Sequence, residues 1–547
     1  MSKLAFSCDC RFDIKDDSTN FNPTIENLRL DCDKAWDLIC EGNTKGCFQL
    51  ESRLGQSLAK KTKPRSIEEL SALVSIMRPG CMEAMVEGKS LTNHYIDRKH
   101  GREPVDYFHP SLEEILSETY GILVYQEQSM QIARKIAGFD LQEADVLRKA
   151  IGKKKADVMA KVKKSFLKGA SKNGIVTKEQ AEEIFGWIEK SQRYSFNKSH
   201  AVSYAMNAYL SAYAKCHFPK QFFTSYLYYS KEKAQPHEEI NELIANARLM
   251  NIDVLPPDIR RCNRNFKLQD GNIYFGLSDI KNVGNKVIET VKKSIRETEE
   301  EIGREINKWS WFEFLIFFSK KINSSAMKSM ISVGALSFVN SNRTRMLYEY
   351  EIVLKLTNKE LEWIKKYIKD NENAYLMTLL QVMGIMVSYP VGRSGAIANK
   401  KRLSTFSDML KSLQEPPYKL EDLPEWIAGK EQSLLGISLT CSKVDGCDTS
   451  SSNCCCRDIA NKNMPDYPLV PVQIDSVREI TIKNGQNRGN RMAFIEVSDS
   501  SASLNCVVFS DSWHEYKGLL SEGNTVMLNG KKNRDEDGLV IEKVWQL

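Results

Sequence analysis

Apolar positions along the chain return at two different periods, and the change from one to the other divides it. Between residues 46 and 230 the spacing is three to four residues: Met130, Ala133, Ile136 and Ala137 share one helical face, and Tyr209, Ala212, Tyr213 and Cys216 share another. Gly138, Gly152 and Gly174 punctuate these helices, and HFPK (His217 to Lys220) breaks one. Residues 231–345 repeat the helical pattern as a second unit, and residues 346–465 continue it with more charge and a cysteine-rich loop. From residue 466 to 547 apolar and polar residues alternate in short runs separated by Gly, Asn and Asp turns, the mark of strands. Residues 1–45 are a polar lead-in. The pattern predicts a multidomain, mainly α protein that ends in an all-β barrel.

Two stretches have a layout of their own. In FGLSDIKNVGNKVIETV (Phe275 to Val291) apolar residues flank a tight turn at Asn282 to Asn285. This is the layout of a helix-hairpin-helix, whose hairpin amides at a helix N-terminus bind a DNA phosphate. Lys281, Gly284, Asn285 and Lys286 are its candidate contacts. Asn282 stands where glycine is usual, and asparagine also tolerates the left-handed backbone such a turn needs. A plain helical turn is the alternative.

The alternating region gives five strands, VPVQIDSVREI, NRMAFIEVSD, LNCVVFSD, NTVMLNGKKN and LVIEKVWQL. Five strands in this order suggest an OB-fold barrel, which binds single-stranded nucleic acid by backbone electrostatics and base stacking. Arg488, Arg491 and Phe494 lie in its first hairpin, and Lys531 and Lys532 in a later turn. A barrel that serves only as a protein adaptor, with Phe494 in its core, is the competing reading.

Composition adds limits rather than identity. The 547 residues suffice for three or four domains of about 100–200 residues each. With 42% hydrophobic and 27% charged residues, the make-up is that of an ordinary soluble protein. No run approaches the ~20 apolar residues of a membrane span, and the first residues lack a signal core. A cytoplasmic location without membrane contact is expected. The net charge of +6 is small, so its distribution matters more. Between Arg148 and Lys164 stand Arg148, Lys149, Lys153, Lys154, Lys155, Lys161, Lys163 and Lys164 against one acid, Asp157. Polyphosphate is the natural counter-charge for such a cluster, because Arg grips it bidentately and Lys as a point charge.

Fourteen cysteines without a secretory signal argue for reduced thiols or metal rather than disulfides. Most are scattered, but Cys441, Cys447, Cys454, Cys455 and Cys456 crowd one polar loop. Cys441, Cys447, Cys454 and Cys456 could close a tetrahedral Zn2+ site; an unmetallated surface loop is the alternative.

Several blocks taken together resemble the C-terminal part of the bacterial DNA polymerase III alpha subunit, the C-family replicative polymerase, in a form like those some bacteriophages encode. They are GCFQLES (Gly46 to Ser52), MRPGC (Met77 to Cys81), YIDRKHGREPVDY (Tyr95 to Tyr107), TYGILVYQEQSMQIA (Thr119 to Ala133), RKAIGKKK (Arg148 to Lys155), YSFNKSHAVSYA (Tyr194 to Ala205) and LPPDI (Leu255 to Ile259). The resemblance implies a palm tail and fingers over residues 46–230, a helix-hairpin-helix domain over 231–345, a helical linker region over 346–465 and an OB-fold over 466–547. It implies that Arg148, Lys149, Lys153 and Lys154 face the triphosphate of a dNTP. Tyr194, Phe196, Asn197 and His200 would lie near the incoming nucleotide or primer end, and Arg78, Arg98 and Lys99 near the duplex or triphosphate. Each could equally be a structural ion pair or cap, and His200 a core histidine.

The family's acidic palm motifs, which hold catalytic Mg2+, precede GCFQLES, and neither has a counterpart here; nor does its nuclease-like domain. Asp31 and Asp33 look like a metal pair, but carboxylates at a helix N-terminus are the favoured reading. The expectation is therefore half of a split polymerase, working on primer-template and single-stranded DNA, with a separate chain supplying the palm carboxylates. A non-catalytic DNA-binding replication factor is the alternative. The nearest candidate for a sliding-clamp motif, QVMGIM (Gln381 to Met386), lacks the aromatic end and reads as core packing.

Overall fold

A computed structural model describes residues 29–153, 156–191, 194–339, 342–388, 400–461, 463–482, 487–533 and 538–547. Two compact units emerge, Met1–Phe222 and Phe223–Leu547.

The first unit is built around one buried helix. Ile67–Ile76 follows Ser66, whose hydroxyl accepts from the Glu69 amide, and every residue of the helix except Glu68 and Glu69 in its first turn is buried. Such a helix needs neighbours on all sides, and its serines satisfy themselves: the Ser71 and Ser75 hydroxyls donate to the carbonyls one turn back. Its main partner is the long helix Lys198–His217, on which Ala201, Ala205, Ala208 and Ala212 are buried. Beside it, Gln126–Ala137, Leu141–Lys153, Ala156–Asn173 and Lys178–Ser191 enclose a second core of Leu112, Ile132, Ile136, Leu147, Phe166, Phe185 and neighbours. The face read from the sequence is confirmed for Ala133, Ile136 and Ala137; Met130 is only half-buried, and Gln128 and Ser129 are buried in its stead. A two-stranded hairpin, β1 (Met85–Val86) and β2 (Lys89–Ser90), projects from this unit.

The second unit opens with a small sheet. β3 (Val254–Leu255) runs parallel to β5 (Asn272–Tyr274), which pairs antiparallel with β4 (Lys267–Gln269). A helical array from Asn285–Ile302 to Pro424–Leu435 follows, pinned by the buried pair of Arg343 and Glu431. The barrel closes the chain with β6 (Val470–Thr481), β7 (Arg491–Ser498), β8 (Ser503–Val508), β9 (Thr525–Lys532) and β10 (Leu539–Gln546), in the order β10-β8-β7-β6-β9. All neighbours are antiparallel except β8 and β10, which run parallel to close it. The five strands stand where alternation predicts them. Between β8 and β9 stands a helix, Ser510–Tyr516, that alternation does not reveal, because its single buried face shows only as Ser510 and Trp513. The fold is thus mainly helical with a C-terminal OB-type barrel.

Candidate nucleic-acid interface

The blocks YGILVYQEQ and YSFNKSHA, far apart in sequence, meet in the first unit. Tyr125 and Phe196 form a parallel β-bridge: the Phe196 amide donates to the Val124 carbonyl (3.0 Å), and the Gln126 amide to the Phe196 carbonyl (2.9 Å). The turn before it depends on glycine, since Gly121 has φ +78° and an added Cβ would lie 2.3 Å from the Asp106 carbonyl oxygen. Gln128 is buried and fully used. Its Oε1 accepts from the Val124 and Tyr125 amides, each at 2.9 Å, and its Nε2 donates to Thr119 Oγ1 (2.8 Å) and the Ile115 carbonyl (3.3 Å). Glu127 points the other way: its carboxylate accepts from Asn197 Nδ2 and from the Lys198 amide, both at 2.9 Å. A carboxylate there complements the positive end of the long helix.

Asn197 is that helix's N-cap, its Oδ1 accepting from the His200 amide at 2.9 Å. One turn apart on the same face, Phe196, His200 and Tyr204 stack in a row, with ring centroids 5.5 and 4.1 Å apart, and Phe48 of GCFQLES meets Tyr204 at 5.3 Å. The Arg78 guanidinium lies 4.4 Å from the centre of the Phe196 ring. His200 and Arg78 are exposed, so the row is a solvated cationic and aromatic edge rather than core. Tyr194 and Tyr125 have their phenols pushed well up by burial. Tyr194 is half-buried beside the edge that Phe196 and His200 form.

The cations divide. Arg98 Nε donates to Glu103 (2.7 Å) and Nη1 to the Tyr120 carbonyl (3.2 Å), and Lys99 pairs with Glu69. Burial alone would raise the Glu103 carboxyl, but Arg98, His94 and Lys89 together hold it at about 2. Arg98 and Lys99 are thus committed to partners inside the protein. Arg148 and Lys149 share Asp145, at 2.8 and 2.7 Å, and keep that carboxyl below its usual range. Asp145 stands just before the basic run, so the run is less one-sided than Arg148 to Lys164 suggests. Lys153 ends the helix Leu141–Lys153, and Lys154 lies outside the described residues.

In the second unit the hairpin keeps its shape. Asn282 has φ +74°, Val283 between its exposed neighbours is buried, and Gly284 begins Asn285–Ile302 without a side-chain cap. Lys281, Asn285 and Lys286 are exposed around that uncapped end, which suits an anion. The element before the turn is only one 3-10 turn, Leu277–Asp279, because Gly276 and Asn282 leave room for no more.

On the barrel, Ala493, Ile495 and Val497 face inward and Phe494 outward, 38% exposed, so the ring is not core. Its cross-strand neighbours are Arg478 and Val507. Arg488 is exposed in the adjoining turn, Arg491 pairs with Glu479 (3.2 Å), Lys531 pairs with Glu542 (2.5 Å), and Lys532 is exposed.

The zinc reading is corrected. Cys441 Sγ faces the Pro424 carbonyl, Cys447 faces Lys443 and Thr525, Cys455 faces Asp458, Cys454 packs on the barrel, and Cys456 is wholly buried in the barrel core. Among the described residues no three His, Cys, Asp or Glu side chains converge as metal ligands. Apolar partners on the barrel hold Cys456 in its core and Cys454 against it. Asp31 pairs with Arg29, and Asp33 sits in the first turn of Asp33–Cys40, as the helix reading expects. These carboxylates do not fit a two-magnesium site. In QVMGIM, Gln381 caps its own helix by accepting from the Thr378 amide, while Val382, Met383 and Met386 are buried. No described helix is long and apolar enough to cross a membrane.

A cationic, aromatic helical edge, an uncapped hairpin and an OB barrel in one chain are the features of a nucleic-acid-binding protein. Comparison gives the family. Residues 11–174 match the bacterial DNA polymerase III alpha subunit finger domain, residues 251–346 a helix-hairpin-helix motif and residues 474–545 an OB-fold nucleic acid binding domain. DNA polymerase III subunit alpha of Aquifex aeolicus is 33% identical over 93% of this chain and 38% of its own. The proteins of the same name from Borreliella burgdorferi and Thermus aquaticus are each 32% identical, over 96% and 95% of this chain and 42% and 39% of theirs. The chain belongs to the DNA polymerase III alpha subunit family, and it spans about two fifths of the length of these relatives.

Proposed function

We propose that this chain is the fingers and DNA-binding part of a replicative DNA polymerase that works in the bacterial cytoplasm. The observation that carries the proposal is the order of matches, finger, helix-hairpin-helix and OB-fold, within a similarity that covers 93–96% of the chain. In this reading Arg148, Lys149, Lys153 and Lys154 hold the dNTP triphosphate, with Asp145 released as the phosphate arrives. Arg78, Phe196, Asn197 and His200 border the nucleotide or primer end, with Tyr194 beside them. Lys281, Gly284, Asn285 and Lys286 hold a duplex phosphate, and Arg488, Arg491, Phe494, Lys531 and Lys532 take single-stranded DNA. Arg98 and Lys99 act through the fold, by fixing the segment that carries Tyr120.

Phosphoryl transfer to DNA uses divalent ions held by carboxylates. Among the described residues no carboxylate cluster fits that task, so the proposal assigns Mg2+ to carboxylates outside them, with a second chain that bears them as the candidate partner. A sliding clamp is a further candidate partner.

The test is primer extension by the full chain alone and with a candidate chain bearing the palm carboxylates. Binding of primed DNA without incorporation, followed by extension once the second chain is added, is the expected result. Robust extension by the single chain refutes the need for a partner. Binding that no such chain converts into synthesis favours a non-catalytic DNA-binding factor.

A further inference from the structure

The long helix that presents His200 at its start carries two thiol-chemistry groups at its end, Cys216 and His217, and the chain brings a third against them. Cys32 precedes Asp33–Cys40 as its N-cap. Its Sγ lies 3.3 Å from His217 Nε2, and its amide donates to the Tyr209 hydroxyl at 3.2 Å. The two thiols are within hydrogen-bonding reach of each other, and Cys216 Sγ also approaches the Tyr213 carbonyl at 3.3 Å. The groups facing Cys32 are Arg29, Asp31 and Asp33 on its own segment, and Tyr209, Tyr213, Cys216 and His217 on the long helix.

We propose that Cys32 and Cys216 form a redox-sensitive dithiol, with His217 as its proton acceptor, that hydrogen peroxide converts to a disulfide.

Three features set this pair apart from the other buried cysteines. A thiolate at a helix N-terminus is stabilised by the aligned peptide dipoles. The Cys216 thiol and then His217 hydrogen-bond to the Cys32 sulfur and lower its pKa against the burial that opposes them, whereas burial raises Cys40, Cys47 and Cys81. The resolving thiol is already adjacent, whereas the Cys40 sulfur donates to the Pro64 carbonyl. Cys32 itself is buried, but Arg29, Leu30, Asp31 and Asp33 around it are exposed, so a small oxidant needs only slight opening of the segment's end.

The chemistry balances. His217 takes the Cys32 proton, and the thiolate attacks peroxide; an S–O bond forms, the O–O bond breaks, and water leaves once the departing hydroxide is protonated. The Cys216 sulfur then attacks the sulfenic sulfur, the S–S bond forms, the S–O bond breaks, and a second water carries away the Cys216 proton. Two thiols and one peroxide give one disulfide and two waters. The product ties residue 32 to residue 216, and so fixes the start of one helix to the end of the helix that carries His200.

The experiment treats the full reduced chain with one equivalent of hydrogen peroxide and maps peptides by mass spectrometry, without any variant. A Cys32–Cys216 cross-linked peptide that forms first and is reversed by dithiothreitol is the expected result. Lowering the pH from 7.5 to 5.5 slows an ordinary thiol by roughly a hundredfold. Cys32 should slow by less than about tenfold, because its thiolate persists at lower pH. In Cys216→Ser, dimedone should trap sulfenic acid at Cys32, and in His217→Gln the shallow pH profile should steepen toward the roughly hundredfold fall of an ordinary thiol. First oxidation at Cys454 or Cys455, or a Cys32 rate that falls with pH as steeply as that of an ordinary thiol, would overturn the proposal.

Discussion

Replacing Glu127 by alanine removes the carboxylate that joins YGILVYQEQ to YSFNKSHA, and the structure sets how much that should cost. Two hydrogen bonds are lost, from Asn197 Nδ2 and the Lys198 amide, both at 2.9 Å. Charge-assisted bonds of this kind are worth about 1.5–3 kcal/mol each. Glu127 is half-buried, so water recovers part of that, and about 2–3 kcal/mol of local stability is the expected loss. At 1.4 kcal/mol per factor of ten, amides of the first turn of Lys198–His217 should exchange with solvent roughly thirty- to a hundredfold faster. Hydrogen exchange read by mass spectrometry on peptides covering residues 196–205 measures this. Glu118→Gln is the control: it breaks the half-exposed Lys198 pair at 2.7 Å, which should be worth less than about 1 kcal/mol. Exchange in Glu127→Ala no faster than in the control would refute the claim that this carboxylate holds the edge together.

Phe494→Ala should weaken single-stranded DNA binding by about 1–3 kcal/mol with an unchanged salt slope, because the ring faces outward; a barrel that melts earlier would count against that placement. Glu431→Ala should destabilise the second unit by about 3–5 kcal/mol, since Arg343 is left buried without its 2.7 Å partner, and a urea midpoint within error of the parent would refute this. Burial pulls the Lys215 ammonium down to about 8. Between that value and about 10.4 the unfolded chain holds the extra proton, so this group's contribution to stability rises with pH by up to about 1.4 kcal/mol per unit. The stability difference between the parent and Lys215→Met should therefore grow in the parent's favour from pH 8 to 10; a constant or shrinking difference would contradict it.

The sequence by itself determined what depends on local periodicity and backbone preference. Alternation marked the five strands, and asparagine at position 282 marked a left-handed turn that the structure has at φ +74°. The apolar faces of the long helices were legible for the same reason, because the face a residue occupies follows from counting along the chain. Partnership across distance was not legible. Glu127 reaches an asparagine 70 positions away, and nothing near either residue announces it. The cysteine-rich loop suggested zinc because its thiols are close in sequence, yet burial in the barrel core claimed Cys456 and left the others facing different partners. The basic run looked one-sided because Asp145 stands three residues before it, within one helical turn of Arg148. Arg98 and Lys99, read as DNA contacts, found carboxylates inside the unit. A side chain's charge is fixed by its chemistry, but which opposite charge neutralises it is decided by whatever the packed chain brings within about 4 Å.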